Sequence, residues 1–110
     1  MLERGQPIEP LQLGNVAQEL AILTTLARTM TLPTRTDGSA PRLIYVVTSN
    51  SAVAVRPFAS TQPTPTMADL IPVSSYSPQI LYCGGSNRLL VENHTTVTIN
   101  VLTVTALDNQ

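Results

Sequence analysis

The sequence has no lysine, no tryptophan, one cysteine and one histidine in 110 residues. Its charged fraction is 12%, about half the roughly 25% usual in a globular domain. Each shortage excludes something. The six basic residues are all arginine and are dispersed along the chain, and the net charge is −1. That gives neither the basic footprint of a nucleic-acid binder nor the polybasic patch of a membrane-surface protein. A single cysteine, Cys83, permits no internal disulfide. The four aromatics, Tyr45, Phe58, Tyr76 and Tyr82, are too few for the aromatic platforms of a sugar-binding domain. No apolar run approaches the ~18 residues needed to span a bilayer. The opening MLERGQPIEP lacks the apolar core of a signal peptide, so the expectation is a chain made in a cytoplasm that stays soluble or assembles there. Lysine is depleted and arginine enriched at protein interfaces, so an arginine-only chain fits a surface packed against partners. The codon usage of a GC-rich gene gives the same composition.

What is present is Leu, Val, Ile and Ala among Thr and Ser, and one domain's worth of chain. Residues 1–13, with Pro7 and Pro10 among Ile8, Leu11 and Leu13, predict an extended arm. Residues 15–30, NVAQELAILTTLARTM, predict a helix. Asn15 is its N-cap, with Gln18 at capping-box spacing. Val16, Leu20, Leu23, Leu26, Ala27 and Met30 share its apolar face, and Pro33 stops it. Leu43–Thr48 and Ala52–Phe58 read as a hairpin about Ser49-Asn50-Ser51. LIYVV is apolar on both faces, as a central strand is. Pro57 ends the second run or places it at an edge. Residues 59–78, with four prolines, predict a long loop. From residue 79 on, QILYC, RLLVE and TVTINVLTVTAL predict a three-stranded meander. The expected fold is mainly β with one N-terminal helix: a small antiparallel β-sandwich or partly open barrel of five to six strands behind an extended arm. In the closing strand Val97, Ile99 and Val101 face one way, and Leu102, Val104 and Ala106 the other. One core cannot bury both sets from a flat strand, so an irregularity is expected at 100–102.

No constellation for catalysis emerges. His94 sits in a predicted turn, and the carboxylates are scattered. Cys83 with His94 offers too few ligands for structural zinc, and a lone buried cysteine is ordinarily inert. CGGSNR lacks the P-loop spacing and reads as a turn. Asn93-His94-Thr95 matches the glycosylation sequon only in letters. The expectation is therefore a protein that is not an enzyme, with no catalytic or metal residue, no cofactor and no small-molecule substrate.

In size, and in the texture of RLIYVVTSNSAVAVRPFAS and LLVENHTTVTINVLTVTALDNQ, residues 42–110 resemble the head decoration (cement) proteins of tailed bacteriophages. The resemblance rests on no diagnostic motif, so it transfers no individual residue. It implies a structural virion protein, assembled in the host cytoplasm, that braces a capsid. Its partners would be itself, with a trimer favoured, and a major capsid protein or another virion protein. A minor tail or head–tail joining protein would look similar, and a β-sandwich protein-binding module is the alternative outside the virion. The candidate contacts are Ile8, Leu11 and Leu13 in the arm and Met67, Leu70, Ile71 and Tyr76 in the long loop.

Overall fold

The computed structural model describes residues 12–23, 27–64 and 70–108. Eight strands run in order: β1 (Leu13–Ile22), β2 (Ala27–Thr31), β3 (Leu43–Thr48), β4 (Ala52–Phe58), β5 (Ile71–Ser74), β6 (Gln79–Tyr82), β7 (Arg88–Glu92) and β8 (Ile99–Leu107). They form two four-stranded sheets, β1-β8-β3-β6 and β2-β7-β4-β5. Every pairing is antiparallel. This strand order, with each sheet drawing on the whole length of the chain, is that of a double-sheet jelly roll.

The β-sandwich expectation holds, but three finer expectations do not. There is no helix among the described residues, and the strands number eight rather than five or six. The segment 15–30 forms β1 and β2. Its helical periodicity was real but weak, because short isolated helices are marginal and tertiary pairing overrides propensity. Here β1 pairs with β8 from Leu13↔Leu107 to Ile22↔Ile99. Asn15 caps no helix; its side chain instead donates to Thr34 Oγ1 at 2.9 Å and to the Arg35 carbonyl at 3.2 Å. The second correction concerns the hairpin. Both strands have the predicted bounds, yet β3 and β4 lie in different sheets. Ser49-Asn50-Ser51 is a corner across the sandwich, with Ser51 at φ 53°. The third is the meander, since β6 and β8 belong to one sheet and β7 to the other. The long loop also contains β5, so it is shorter than 59–78. Pro57 neither ends β4 nor makes it an edge strand: β4 lies between β7 and β5 and runs to Phe58, and Pro57 is accommodated because β5 stops pairing at Val55 and leaves that flank without a ladder.

The core is aliphatic. Ile44, Val46, Leu81, Leu102 and Val104 of one sheet pack against Val53, Val55, Val73, Leu89 and Val91 of the other. No aromatic residue is buried there. Strands built this way read as alternating patterns, as in β3 and in β4 up to Val55, where every second residue is buried.

The predicted irregularity in β8 is present. Ile99 and Leu102 are both fully buried, with Asn100 exposed and Val101 half-buried between them. The chain therefore changes face across 100–101. The ladder to β1 keeps its register through this point, Leu20↔Val101 and Ile22↔Ile99, because β1 changes face at the same place. Ala21 reaches that geometry with φ 53°. On the β3 side the ladder is replaced by side chains. The amides of Asn100 and Val101 donate to Asn50 Oδ1 (2.9 Å) and Ser49 Oγ (3.2 Å). A bulge normally leaves an extra residue unpaired; here the Ser49-Asn50 corner receives both amides.

Two positions hold the ends of the sandwich. Asn93 is fully buried and follows β7. Its Nδ2 donates to the carbonyls of Ile22 (3.0 Å) and Val97 (2.8 Å), and its Oδ1 accepts the Thr95 amide at 3.0 Å. At the other end, Asp108 accepts the Thr36 amide and hydroxyl, while Arg35 donates to the Asp108 carbonyl. Gly14 lies under this cluster. A Cβ there would stand 2.9 Å from Asp108 Oδ1 and 3.1 Å from the Arg35 backbone. We predict that Asn93→Ala, which strands two carbonyls, costs about 2–4 kcal/mol. Gly14→Ala should cost about 1–3 kcal/mol by overpacking. Denaturant melts of each variant against the native chain measure both; a change under about 0.5 kcal/mol would remove either residue from this account.

Candidate functional site

Alternation decides which side chains the sheets turn outward. In sheet β1-β8-β3-β6 the buried aliphatics and the residues level with them in the ladders, Ala17, Glu19 and Gln79 among them, turn inward, so the register assigns the alternate residues to the outer face. From β1 these are Val16, Gln18 and Leu20; from β8, Val101, Thr103 and Thr105. From β3 they are Leu43, Tyr45 and Val47, and from β6, Ile80 and Tyr82. Gln18 Nε2 lies 3.5 Å from Thr103 Oγ1 across the face, as this assignment requires. Among the described residues the face contains no Arg, Asp, Glu or His. Val16 is 55% exposed, Leu20 58%, Ile80 49% and Tyr82 68%.

The other sheet is different. Arg88 and Glu92 of β7 and Arg56 of β4 point outward among Ala27, Thr29, Thr31, Ala54 and Phe58. Four strands about 4.8 Å apart and about six residues long give the uncharged face roughly 400 Å². That is the size of the largest apolar patch on typical monomers, which is often a working surface. Large apolar side chains set among threonines on one face, with charge on the opposite face, suit contact with another protein.

The residues picked out by sequence reasoning are not gathered here. Ile8, Leu11 and Met67 lie outside the described residues. Leu13 opens β1 and is exposed, opposite Leu107. Leu70 and Ile71 are half-buried at the start of β5, and Ile71 packs on the core. Tyr76 is 97% exposed in the β5–β6 connection. Leu13 and Tyr76 therefore stand toward opposite edges of one sheet. The helical spacing of Val16 and Leu20 puts them on one face of a helix and Gln18 on the other, so the sequence pattern does not indicate this outer row. The available signal was that Leu43–Thr48, Gln79–Tyr82 and Ile99–Leu107 contain no charged residue at all.

The residues with chemical potential are dispersed. His94 Nε2 lies 2.9 Å from Glu92 Oε1 on the surface. Cys83 follows β6 in the other sheet, is buried, and lies with its Sγ 3.4 Å from the Pro41 carbonyl. CGGSNR turns from one sheet to the other, closed by the Ser86 amide on the Cys83 carbonyl, with Gly85 at φ 82°. In the sequon, the Asn93 carboxamide is buried and fully used in structural hydrogen bonds. No three His, Cys, Asp or Glu side chains converge among the described residues. No helix there is long and apolar enough to cross a membrane.

Burial pushes the Cys83 thiol up from its usual value near 9.0 to about 11. The unfolded chain loses this proton first, so above pH 9 the native state binds more protons than the unfolded one. Stability contributed by the protonated thiol is full below pH 9 and falls as pH rises towards about 11. The stability of Cys83→Ala should fall less steeply over that window, and the native thiol should react with maleimide only on unfolding. Identical pH slopes for the two proteins would contradict this account. Compared with protein-family models, with curated proteins and with solved structures, the chain finds no match.

Proposed function

We propose that this chain is a non-enzymatic structural protein of the virion, of the capsid decoration type, and that the outer face of β1-β8-β3-β6 is its attachment surface. The observation that carries the reading is the charge asymmetry of the two outer faces. One has no charged side chain and exposes Val16, Leu20, Ile80 and Tyr82; the other carries Arg56, Arg88 and Glu92. A lone soluble domain gains nothing from leaving such a face open. A subunit that lies on a lattice gains burial of this face against a neighbour, repeated at every copy. The jelly roll is compatible with this work, being used in capsid and lectin domains alike, but a fold alone assigns no function.

The mechanism is mechanical. Each copy covers a junction between capsid subunits and holds it by apolar burial. Many modest contacts then act together through the lattice and through any oligomer of the protein itself. The smooth Thr/Val texture of β8 suits a flat contact, since these side chains pack well on a pleated, half-buried surface. The same surface could serve a head–tail joining protein; the partner, not the physics, would differ.

The test is cosedimentation with expanded capsids built from the major capsid protein of the same genome. Attachment should saturate. Ile80→Glu lies on the strand farthest from β1 and is exposed, so it should change stability by no more than about 0.5 kcal/mol. It should weaken attachment at least about tenfold, because burying an unpaired charge in an interface costs more than 1.4 kcal/mol. Native protein that binds no capsid, or Ile80→Glu that binds equally well, would sink the proposal.

A further inference from the structure

Each sheet ends in two edge strands, β6 and β5 on one side of the sandwich and β1 and β2 on the other, and the β1 edge is the longest. β1 has β8 on one flank and β2 has β7 on one flank, and no described strand pairs with the other flank of either. β1 is ten residues long, contains neither lysine nor proline, and has one carboxylate, Glu19. Proteins normally blunt such an edge with charge, proline or brevity. Among the described residues this edge is blunted only at its two ends. At the N-terminal end the Asn15 amide donates to the Thr34 carbonyl. At the C-terminal end Arg28 donates to the Leu20 carbonyl at 3.0 Å and to the Ala21 carbonyl at 3.4 Å, and it pairs with Glu19 at 3.3 Å.

Between these caps the direction of each backbone group is determined. The Val101 carbonyl accepts Ser49 N and so points to β3, away from β1. Leu20 is paired with Val101 and therefore turns its own N–H and C=O away from β8, as the Arg28 bond to its carbonyl also requires. By alternation Val16 and Gln18 do the same. The open edge thus runs from Val16 to Leu20, with Gln18 at its middle.

We propose that this edge pairs with the same edge of a second copy, antiparallel about a two-fold axis at Gln18. The chemistry of the segment is self-complementary in that register alone. Val16 meets Leu20 of the second copy, Gln18 meets Gln18, and each such pair exchanges two backbone hydrogen bonds. Leu20 O keeps Arg28 on one lone pair and offers the other. Glu19 brings no unpaired charge, since Arg28 already holds it. Beside this seam lie Ala27, Thr29 and Thr31 of β2, all exposed and uncharged, ready to face their counterparts. The side of the sandwich, about 33 Å along β1 and about 20 Å across two sheets with their side chains, offers about 600 Å² per copy. Two copies reach the lower range of specific interfaces. An isologous contact closes on itself as a dimer, not as the trimer that the resemblance implies. It joins the two uncharged outer faces into one eight-stranded surface. The inference does not depend on capsid attachment and stands or falls without it.

The experiment is sedimentation equilibrium of the full chain over a micromolar dilution series. The expected species is twice the 11.8 kDa chain mass. Gln18→Lys and Gln18→Glu each set like charges opposite one another on the axis and should each weaken the dimer about fivefold at low salt. Gln18 is exposed, so thermal melts should show both variants folded. Mixing the two variants should restore a dimer at least as tight as native, which no general loss of packing could produce. A dimer that neither variant weakens or whose weakening is not rescued by mixing, a trimer, or a monomer at tens of micromolar would each overturn the proposal. So would a monomer whose Gln18 amide is protected from hydrogen exchange, since residues 1–11 of the same chain would then fill the edge.

Discussion

The buried carboxamide of Asn93 is the interaction on which this end of the sandwich depends. Its donors reach the last residue of β1 and the bend before β8, while its own backbone leaves β7. One side chain thereby ties three connections from two sheets. A buried amide is stabilising only when its hydrogen bonds are made, so the three connections must arrive together or not at all. Next to it, Ile22 and Ile99 point into the core as a register pair. One turn of pleat further on, both strands change face together at Leu20–Ala21 and Asn100–Val101. This is how a strand with apolar residues on both parities can serve a single core. The odd set is buried at Ile99, the even set from Leu102 onward, and the crossover is hydrogen-bonded by Ser49 and Asn50.

The crossover also shapes the outer surface. Because β1 and β8 flip in concert, Val101 joins Leu20 on the outside instead of competing with Leu102 for the core. The aliphatic core needs no aromatic residue, and Tyr45 and Tyr82 are left for the outer face. The uncharged face is thus a product of the same register that fills the interior. Among the described residues charge lies on the opposite sheet and at the rim, where Arg28 engages Glu19 and the Leu20 carbonyl, and Arg35 engages Asp108. A lysine-free surface is consistent with that economy, since few side chains are asked to stand alone in water.

The parts of this architecture that local pattern controls were legible. The bounds of β3 and β4, the β-sandwich class, the buried cysteine and the irregularity at 100–102 all follow from alternation within a few residues. The parts that depend on distant partners were not. β3 and β4 look like a hairpin because three polar residues separate them, yet a corner and a hairpin demand similar residues at that spacing. NVAQELAILTTLARTM carries a helical period and a capping box, and nothing local reveals that β8, some eighty residues on, will claim it as a strand. Once β1 was taken for a helix, the outward row of Val16, Gln18 and Leu20 could not be seen, and neither could the uncharged face it completes. Apolar groups in irregular segments such as the arm and the long loop invite partners; Ile71 finds its partner in the core.

The topology also sets the order in which this surface can exist. β8 lies between β1 and β3, so its neighbours come from the beginning and the middle of the chain. No consecutive strands of this jelly roll pair except β4 with β5. Almost every ladder must therefore close a long loop before it is rewarded by contacts, which places folding in the slow range for a domain of this size. β1 is the extreme case, since β8, its one partner among the described strands, lies some eighty residues further along the chain. The outer face has its full width, and the edge at Val16–Leu20 its strand geometry, only with this pairing made. The pairing that brings Ile22 against Ile99 in the core is thus the one that completes the uncharged face.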